Sequence, residues 1–461
     1  MQKTLLLSLL VIITLAGAAQ ANQLDFTVTA LGAGGPEVLV IGGIQGDEPG
    51  GFSAAALLAT RYNITRGTVR VVPNLNFISI IERSRGTNSD MNRKFASISP
   101  NDPDYDTVCR IQSIITAPSV DLILHLHDGS GFYRPTQESN LRNPNRWGQC
   151  VIIDLERWPN IAFGELKEMA DMVAADVNQR LLKPDHTFFV KNTHTDKGNL
   201  EMAKTLTWYA LNRDKAAFGL EVSKEFGVSE RAYYHLCMVE SFLKRAGVEF
   251  SRNFELSPTG VAAALGSNIY VGFMNNRLVL PLEGARRQQA GSLPLQRGET
   301  VVIDANMPIV AVTGDASIMK VHYGNNVVTS FKPDWMDTDY SLTTVTVMVD
   351  GVAREVDFGS TIYIDKNFLV EPIPGHRANA IGVPLAPDES GILLTRAHFK
   401  DNYSVDQAGT IFRVEIYRDK IYCGTFLVSF GPERLTAAPT PLLAQPGLSP
   451  DAGGPESELG R

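Results

Sequence analysis

The order of patterns along the 461 residues predicts an α/β domain, a mixed sheet flanked by helices, followed by two small all-β domains. Three observations carry this. Strand-like runs alternate with helical periodicity up to about residue 248, that periodicity then vanishes, and an Asp-Gly hairpin signal stands deep in the second half. A chain this long, with 44% hydrophobic positions, is large enough for several cores. Its 42 Lys+Arg against 50 Asp+Glu leave a net charge of -8, with no basic excess to neutralise phosphates, so nucleic acid is excluded as a partner.

The chain opens with Lys3, an apolar run from Leu5 to Ala16, and Ala19-Gln20-Ala21, the form of a secretory signal peptide over residues 1–21. The run is too short to span a bilayer, so an exported protein with no integral membrane segment is expected. Cys109, Cys150, Cys237 and Cys423 are too widely scattered for a disulfide framework or a zinc cluster. They are expected as buried thiols, with at most one bridge.

In residues 22–248 the β-rich runs are Val38 to Ile41, Val69 to Pro73, Asp121 to His127 and Phe218 to Val222. Helical patterns cover Gly50 to Tyr62, Asp104 to Thr116, Asn160 to Leu182 and Ser229 to Gly247. In residues 249–338 strands are expected at Ile269 to Phe273, Leu278 to Leu282 and Thr300 to Ile303, with Pro333 to Asp339 as a boundary. Residues 339–431 read as a β-sandwich-like, immunoglobulin-like domain. Its hairpin joins Thr344 to Val349 with Val352 to Phe358 through Asp350-Gly351, and strands follow at Ile411 to Tyr417 and Ile421 to Ser429. Residues 432–461, rich in proline with little to bury, are expected to be disordered.

Ligands of α/β sheets bind beyond the carboxyl ends of strands, and four motifs sit there. Ile41-Gly42-Gly43-Ile44-Gln45-Gly46-Asp47-Glu48-Pro49 lies where a strand yields to a helix, so Gln45 and Glu48 can converge. Asn74 to Phe95 places Asn76, Arg85, Asn92 and Arg93 after a second strand. His125-Leu126-His127-Asp128-Gly129 ends a third. Glu221 interrupts an apolar strand, where a buried carboxylate needs a partner or a task. His125 shares a strand face with His127, the side-chain period being two. His186 and His194 fall in a polar loop that could lid a pocket. Trp147, Thr207 and Tyr209 read equally well as packing or as walls of a substrate site.

Taken in order, Glu48, Arg85, Asn92-Arg93, His127 and Glu221 resemble the zinc carboxypeptidase superfamily across roughly residues 36–225. That pattern is His-x-x-Glu, an Arg followed by Asn-Arg, a later His, and a catalytic Glu. Gln45 stands where the family has its first ligand histidine. This Gln variant, with a leader and two β-rich domains behind, resembles the periplasmic peptidoglycan D,L-carboxypeptidases that set helical cell shape. The resemblance implies one Zn²⁺ per chain on Gln45, Glu48 and His127, and Glu221 as general base. It further implies Arg85 at the oxyanion, and Arg93 with Asn92 on the terminal carboxylate of the substrate. His127 is preferred to His125 as ligand because it stands at the strand's end. The implied substrate is the stem tripeptide L-Ala-γ-D-Glu-meso-diaminopimelate, cut to the dipeptide in the periplasm. The β domains offer surface for cell-wall protein partners. Two other readings stand beside it. An aspartoacylase- or desuccinylase-like deacylase would share the Arg85 to Arg93 spacing, and a non-catalytic wall-binding pseudopeptidase would explain Gln45.

Overall fold

The computed structural model describes residues 24–298 and 300–431. The expected signal peptide and disordered tail therefore lie outside the described residues. Eight strands form the main sheet: β1 (Thr29–Ala33), β2 (Glu37–Ile41), β3 (Tyr62–Val72), β4 (Val120–Gly129), β5 (Cys150–Ile153), β6 (Phe189–Asn192), β7 (Ala216–Ser223) and β8 (Glu249–Arg252). The order is β1-β3-β2-β4-β7-β5-β6, with β8 beside the first half of β3. The central strands β3, β2, β4 and β7 run parallel, and the near-continuous burial of β2, β4 and β7 follows from cover on both faces, whereas β3 alternates.

Alternation along each strand sends successive side chains to opposite layers. Val38, Val40, Leu122, Leu124, Phe218 and Leu220 pack against α1 (Pro49–Arg61), α4 (Leu166–Asn178) and α6 (Val228–Arg245). Leu39, Ile41, Ile123 and Ala217 pack against α3 (Tyr105–Ile115) and α5 (Leu206–Leu211). By the same period His125, His127 and Glu221 belong to this second face, at the carboxyl ends of β4 and β7.

Several expectations are corrected. The helix expected from Asn160 begins only at Leu166, because Asn160 and Phe163 hold left-handed backbone angles (φ 63° and 57°) that no helix tolerates. Helical structure also returns after residue 249 as α7 (Pro258–Gly266), capped by the Ser257 side chain with Pro258 at its first position. The main sheet crosses residue 248 through β8, which pairs with β3. The strand expected at Thr300 to Ile303 runs instead over Ile303–Ala305.

Beyond α7 the described chain is β-rich. A three-stranded and a four-stranded sheet cover residues 270–336, and their apolar side chains join the main core. Strand Asn326–Met336 runs through the expected boundary at Pro333, pairing in parallel with Gln288–Gln296. A further three- and four-stranded pair encloses a separate core from Val345 to Val428. The Asp350-Gly351 hairpin forms as expected, both residues at positive φ (50° and 87°). All four cysteines are free thiols. Among the described residues no helix is long and apolar enough to cross a membrane.

Candidate active site

The turn after β2 has to be tight. A Cβ on Gly46 would lie 1.9 Å from the Ser79 carbonyl oxygen, so only glycine fits there. This turn swings Gln45 and Glu48 over the strand ends, with Glu48 at the N-cap of α1. The parallel register of β4 and β7 sets His127 beside Glu221. Gln45, Glu48, His127 and Glu221 are all buried, at 1%, 4%, 7% and 8% exposure.

Gln45 Oε1 and Glu48 Oε2 each lie 3.0 Å from His127 Nδ1. Two oxygens and an imidazole nitrogen thus face one point, a donor set suited to a borderline divalent ion. For Nδ1 to offer its lone pair, His127 Nε2 must carry the proton, and it then donates to His125 Nδ1 at 3.1 Å. His125 therefore stands behind His127, where it orients the ring.

Asp90 organises the other side. Gln45 Nε2 donates to Asp90 Oδ1 at 2.8 Å, which turns the amide oxygen toward His127. Arg85 Nε donates to Asp90 Oδ2 at 3.0 Å, and Arg85 Nη1 lies 3.4 Å from Glu48 Oε1. Asp90 also accepts from the Asn92 backbone N–H at 3.0 Å, capping the short helical turn Met91–Arg93. Asn92 Oδ1 accepts from the Leu206 N–H at 3.0 Å, which ties this turn to α5. Arg93 is partly exposed, donates to the Asn92 carbonyl at 3.0 Å and pairs with Glu201 at 3.7 Å.

Burial dominates the electrostatics. It pushes Glu48 up to about 8, against the opposing pull of Lys224 and Arg85. It pushes His127 down to about 3, helped by Arg85. Glu221 is raised well above the carboxylate range by burial, then by the charges of Glu48 and Asp128, and its Oε2 has no hydrogen-bond partner. A site that resists both a lone carboxylate charge and an imidazolium charge is one that a divalent cation would stabilise.

Several contributors escaped the sequence reading. Asp90 and Lys224 are two, the latter bonding Asp47 at 2.7 Å and approaching Glu48 at 3.6 Å. Asp128 is buried and accepts from the Gly50 N–H at 2.8 Å, Arg231 at 2.8 Å and His235 at 3.1 Å, so it locks α1 and α6 against β4. Its own N–H donates to Glu48 Oε2 at 3.1 Å. Packing of helices and loops onto the strand ends creates these contacts.

The outlying candidates separate clearly. His186 bonds the Tyr234 hydroxyl at 2.8 Å and stacks against Phe132, and His194 is exposed before a short helical turn. Asn76 caps α2 (Phe77–Glu82). Tyr209 packs on Phe95, and Thr207 meets the Thr205 hydroxyl at 3.1 Å. Trp147 lies by the site: a Cβ on Gly129 would fall 2.5 Å from the Trp147 carbonyl carbon and 2.7 Å from Glu221 Oε2. The Lys191 ammonium sits 4.1 Å above its ring.

Comparison with known proteins places this geometry in context. Residues 4–266 match the family model described as a carboxypeptidase controlling helical cell shape, catalytic, and residues 338–431 match a C-terminal domain of metallo-carboxypeptidases. Similar solved structures include the apo form of the cell shape determinant Csd4 from Helicobacter pylori, 34% identical, covering 88% of this chain and 100% of that one at a TM-score of 0.82. The same protein with bound tripeptide is equally similar, at 34% identity, the same coverages and a TM-score of 0.82. Its mDAP-bound form, described as a D,L-carboxypeptidase, is 35% identical and covers 87% of this chain and 99% of that one, again at 0.82. No curated protein sequence matches the chain.

Proposed function

This chain belongs to the family of carboxypeptidases controlling helical cell shape, and from that premise we propose that the crevice at the ends of β2, β4 and β7 is its hydrolytic centre. The protein is a D,L-carboxypeptidase acting on peptidoglycan. The observation that carries the site assignment is the approach of Gln45 Oε1 and Glu48 Oε2 to His127 Nδ1, each at 3.0 Å, beside a buried Glu221 whose Oε2 has no hydrogen-bond partner.

Gln45, Glu48 and His127 would hold a divalent ion, read as one Zn²⁺, which polarises a scissile carbonyl and acidifies water when bound. Glu221 takes a proton from the attacking water and returns it to the leaving amine, a task that suits a buried carboxylate with a raised pKa. Arg85, held through Nε by Asp90, would offer its terminal N–H groups to the oxygen that gains charge. Arg93, with Asn92 fixing its turn, grips the terminal carboxylate of the substrate as a guanidinium fork can. An internal peptide bond offers no such carboxylate, so cleavage is exo-acting. The substrate read here is the stem tripeptide L-Ala-γ-D-Glu-meso-diaminopimelate, processed in the periplasm.

The test is mass spectrometry of that tripeptide and of its C-terminally amidated form, each incubated with protein, with and without chelator. Release of diaminopimelate from the free acid alone, abolished by chelator and restored by Zn²⁺, is expected. Chelator-insensitive release, or equal cleavage of the amide, would refute the assignment.

A further inference from the structure

The C-terminal half holds a second convergence of ligand-type side chains, remote in sequence from the first. Asp339 lies in the link from strand Asn326–Met336 to strand Thr344–Val349, His376 stands just before strand Arg377–Ala380, and Cys423 lies in strand Ile421–Ser429. One oxygen, one nitrogen and one sulfur from these three residues all fall within 4.8 Å of one another. Main-chain pairing holds them there. The Asp339 N–H donates to the Tyr422 carbonyl at 2.8 Å, and the Tyr422 N–H donates to the Asp337 carbonyl at 3.0 Å.

The histidine is only half satisfied, the carboxylate is held by an ion pair, and the Cys423 thiol reaches only the Ile421 carbonyl at 3.9 Å. His376 Nδ1 lies 3.0 Å from the Pro374 carbonyl, which can only accept, so Nδ1 carries the proton and Nε2 presents a lone pair. That Nε2 is buried without a hydrogen-bond partner, and so is Asp339 Oδ2. The Asp339 side chain is 9% exposed and Cys423 is fully buried. A histidine anchored through one nitrogen to a carbonyl, and sharing a cluster with a thiol and a carboxylate, is held as metal-ligating histidines are held. Arg418 Nη1 lies 2.9 Å from Asp339 Oδ2, a charge contact without hydrogen-bond geometry, and the Ser341 N–H donates to Oδ1 at 2.9 Å.

We propose that Asp339, His376 and Cys423 form a second metal site, taking one divalent ion of the zinc class and binding the link, the loop and the strand together. A thiolate, an imidazole and a carboxylate match the tetrahedral preference of such an ion and leave a fourth position for water. Binding releases the Cys423 proton to solvent as the sulfur–metal bond forms. The site uses no residue of the hydrolytic crevice, and it stands or falls independently of it.

The experiment is titration of the purified, reduced full chain with Co²⁺ alone, read by the sulfur-to-cobalt charge-transfer absorption in the near ultraviolet. The crevice ligands contain no sulfur, so this band reports only a thiolate site. The band is expected in the wild type and in Glu48→Gln, and it is expected to vanish in Cys423→Ser and in His376→Ala. Arg418→Gln should tighten Co²⁺ binding several-fold by removing the competing cation. Absence of the band in the wild type at saturating Co²⁺, or its survival in either ligand variant, overturns the proposal. Should Cys423→Ser fail to fold, His376→Ala carries the same decision.

Discussion

The crevice at the ends of β4 and β7 and the Arg413 cluster of the β-rich half treat buried charge in opposite ways. In the second region Arg413 is among the largest fully buried side chains, and it is fully employed. It pairs with Glu415 at 3.1 Å, which also accepts from the Tyr417 hydroxyl at 2.6 Å, and it donates to the Ser292 and Ala290 carbonyls at 3.2 and 3.3 Å. In the crevice Glu221 Oε2 and His125 Nε2 are buried with no partner, and Glu48 is pushed up to about 8. Satisfied buried charge ties elements together, whereas unsatisfied buried charge marks a place prepared for something else. On the proposed site assignment, the difference separates a stability residue from a working one.

The sharpest break of this contrast is Glu48→Gln. It removes the anionic member of the proposed ligand set, so stoichiometric metal in the crevice and metal-dependent turnover should both be lost while the melting temperature stays near wild type. Metal analysis and calorimetry check it together, and retention of crevice metal would detach Glu48 from the ligand set. The converse variant is Arg413→Met, which strands Glu415 without its cation and should cost about 3–5 kcal/mol. Denaturant unfolding measures that loss, and a change below about 1 kcal/mol would show that the pair only fills space.

A smaller effect is expected from Arg93→Lys, because an ammonium cannot make the paired contact of a guanidinium fork with a carboxylate. KM should rise roughly tenfold, about 1.4 kcal/mol, with kcat less affected. A selective fall in kcat would move Arg93 from substrate binding to the reaction centre. The smallest effect is that of Gln45→His, which should retain or raise zinc affinity.

The pH dependence sharpens this last case. With the proposed ligand set, a metal entering the wild type displaces a proton from Glu48, raised to about 8, while His127, lowered to about 3, is already neutral at working pH. Apparent affinity should therefore climb about tenfold per pH unit up to about pH 8 and level off above it. Gln45→His adds a second titratable ligand and steepens the climb below that residue's own pKa. Identical slopes would mean that residue 45 does not face the metal.

Most of the proposed site was legible because its residues stand at element ends, where pattern changes are visible. Gln45 and Glu48 follow β2, His127 closes β4, and Glu221 breaks an apolar run. What sequence could not show are contacts made by register and by loops. Asp90 turns the Gln45 amide across 45 residues of chain, and Asp128 meets His235 across 107. The fold was legible to the same limit. The Asp350-Gly351 hairpin is local and was readable, while α7 carries little amphipathic signal in Pro258–Gly266 and announced itself only by the Ser-Pro start. The parallel pairing of Gln288–Gln296 with Asn326–Met336 joins segments about 40 residues apart and has no local signature.

The most direct test of the central claim compares wild type with Glu221→Ala in turnover of the stem tripeptide at matched zinc content. The unpartnered carboxylate is assigned as the proton carrier, so turnover should fall by about 10²–10⁴-fold with metal and fold intact. Activity within tenfold of wild type, at equal zinc, would contradict it.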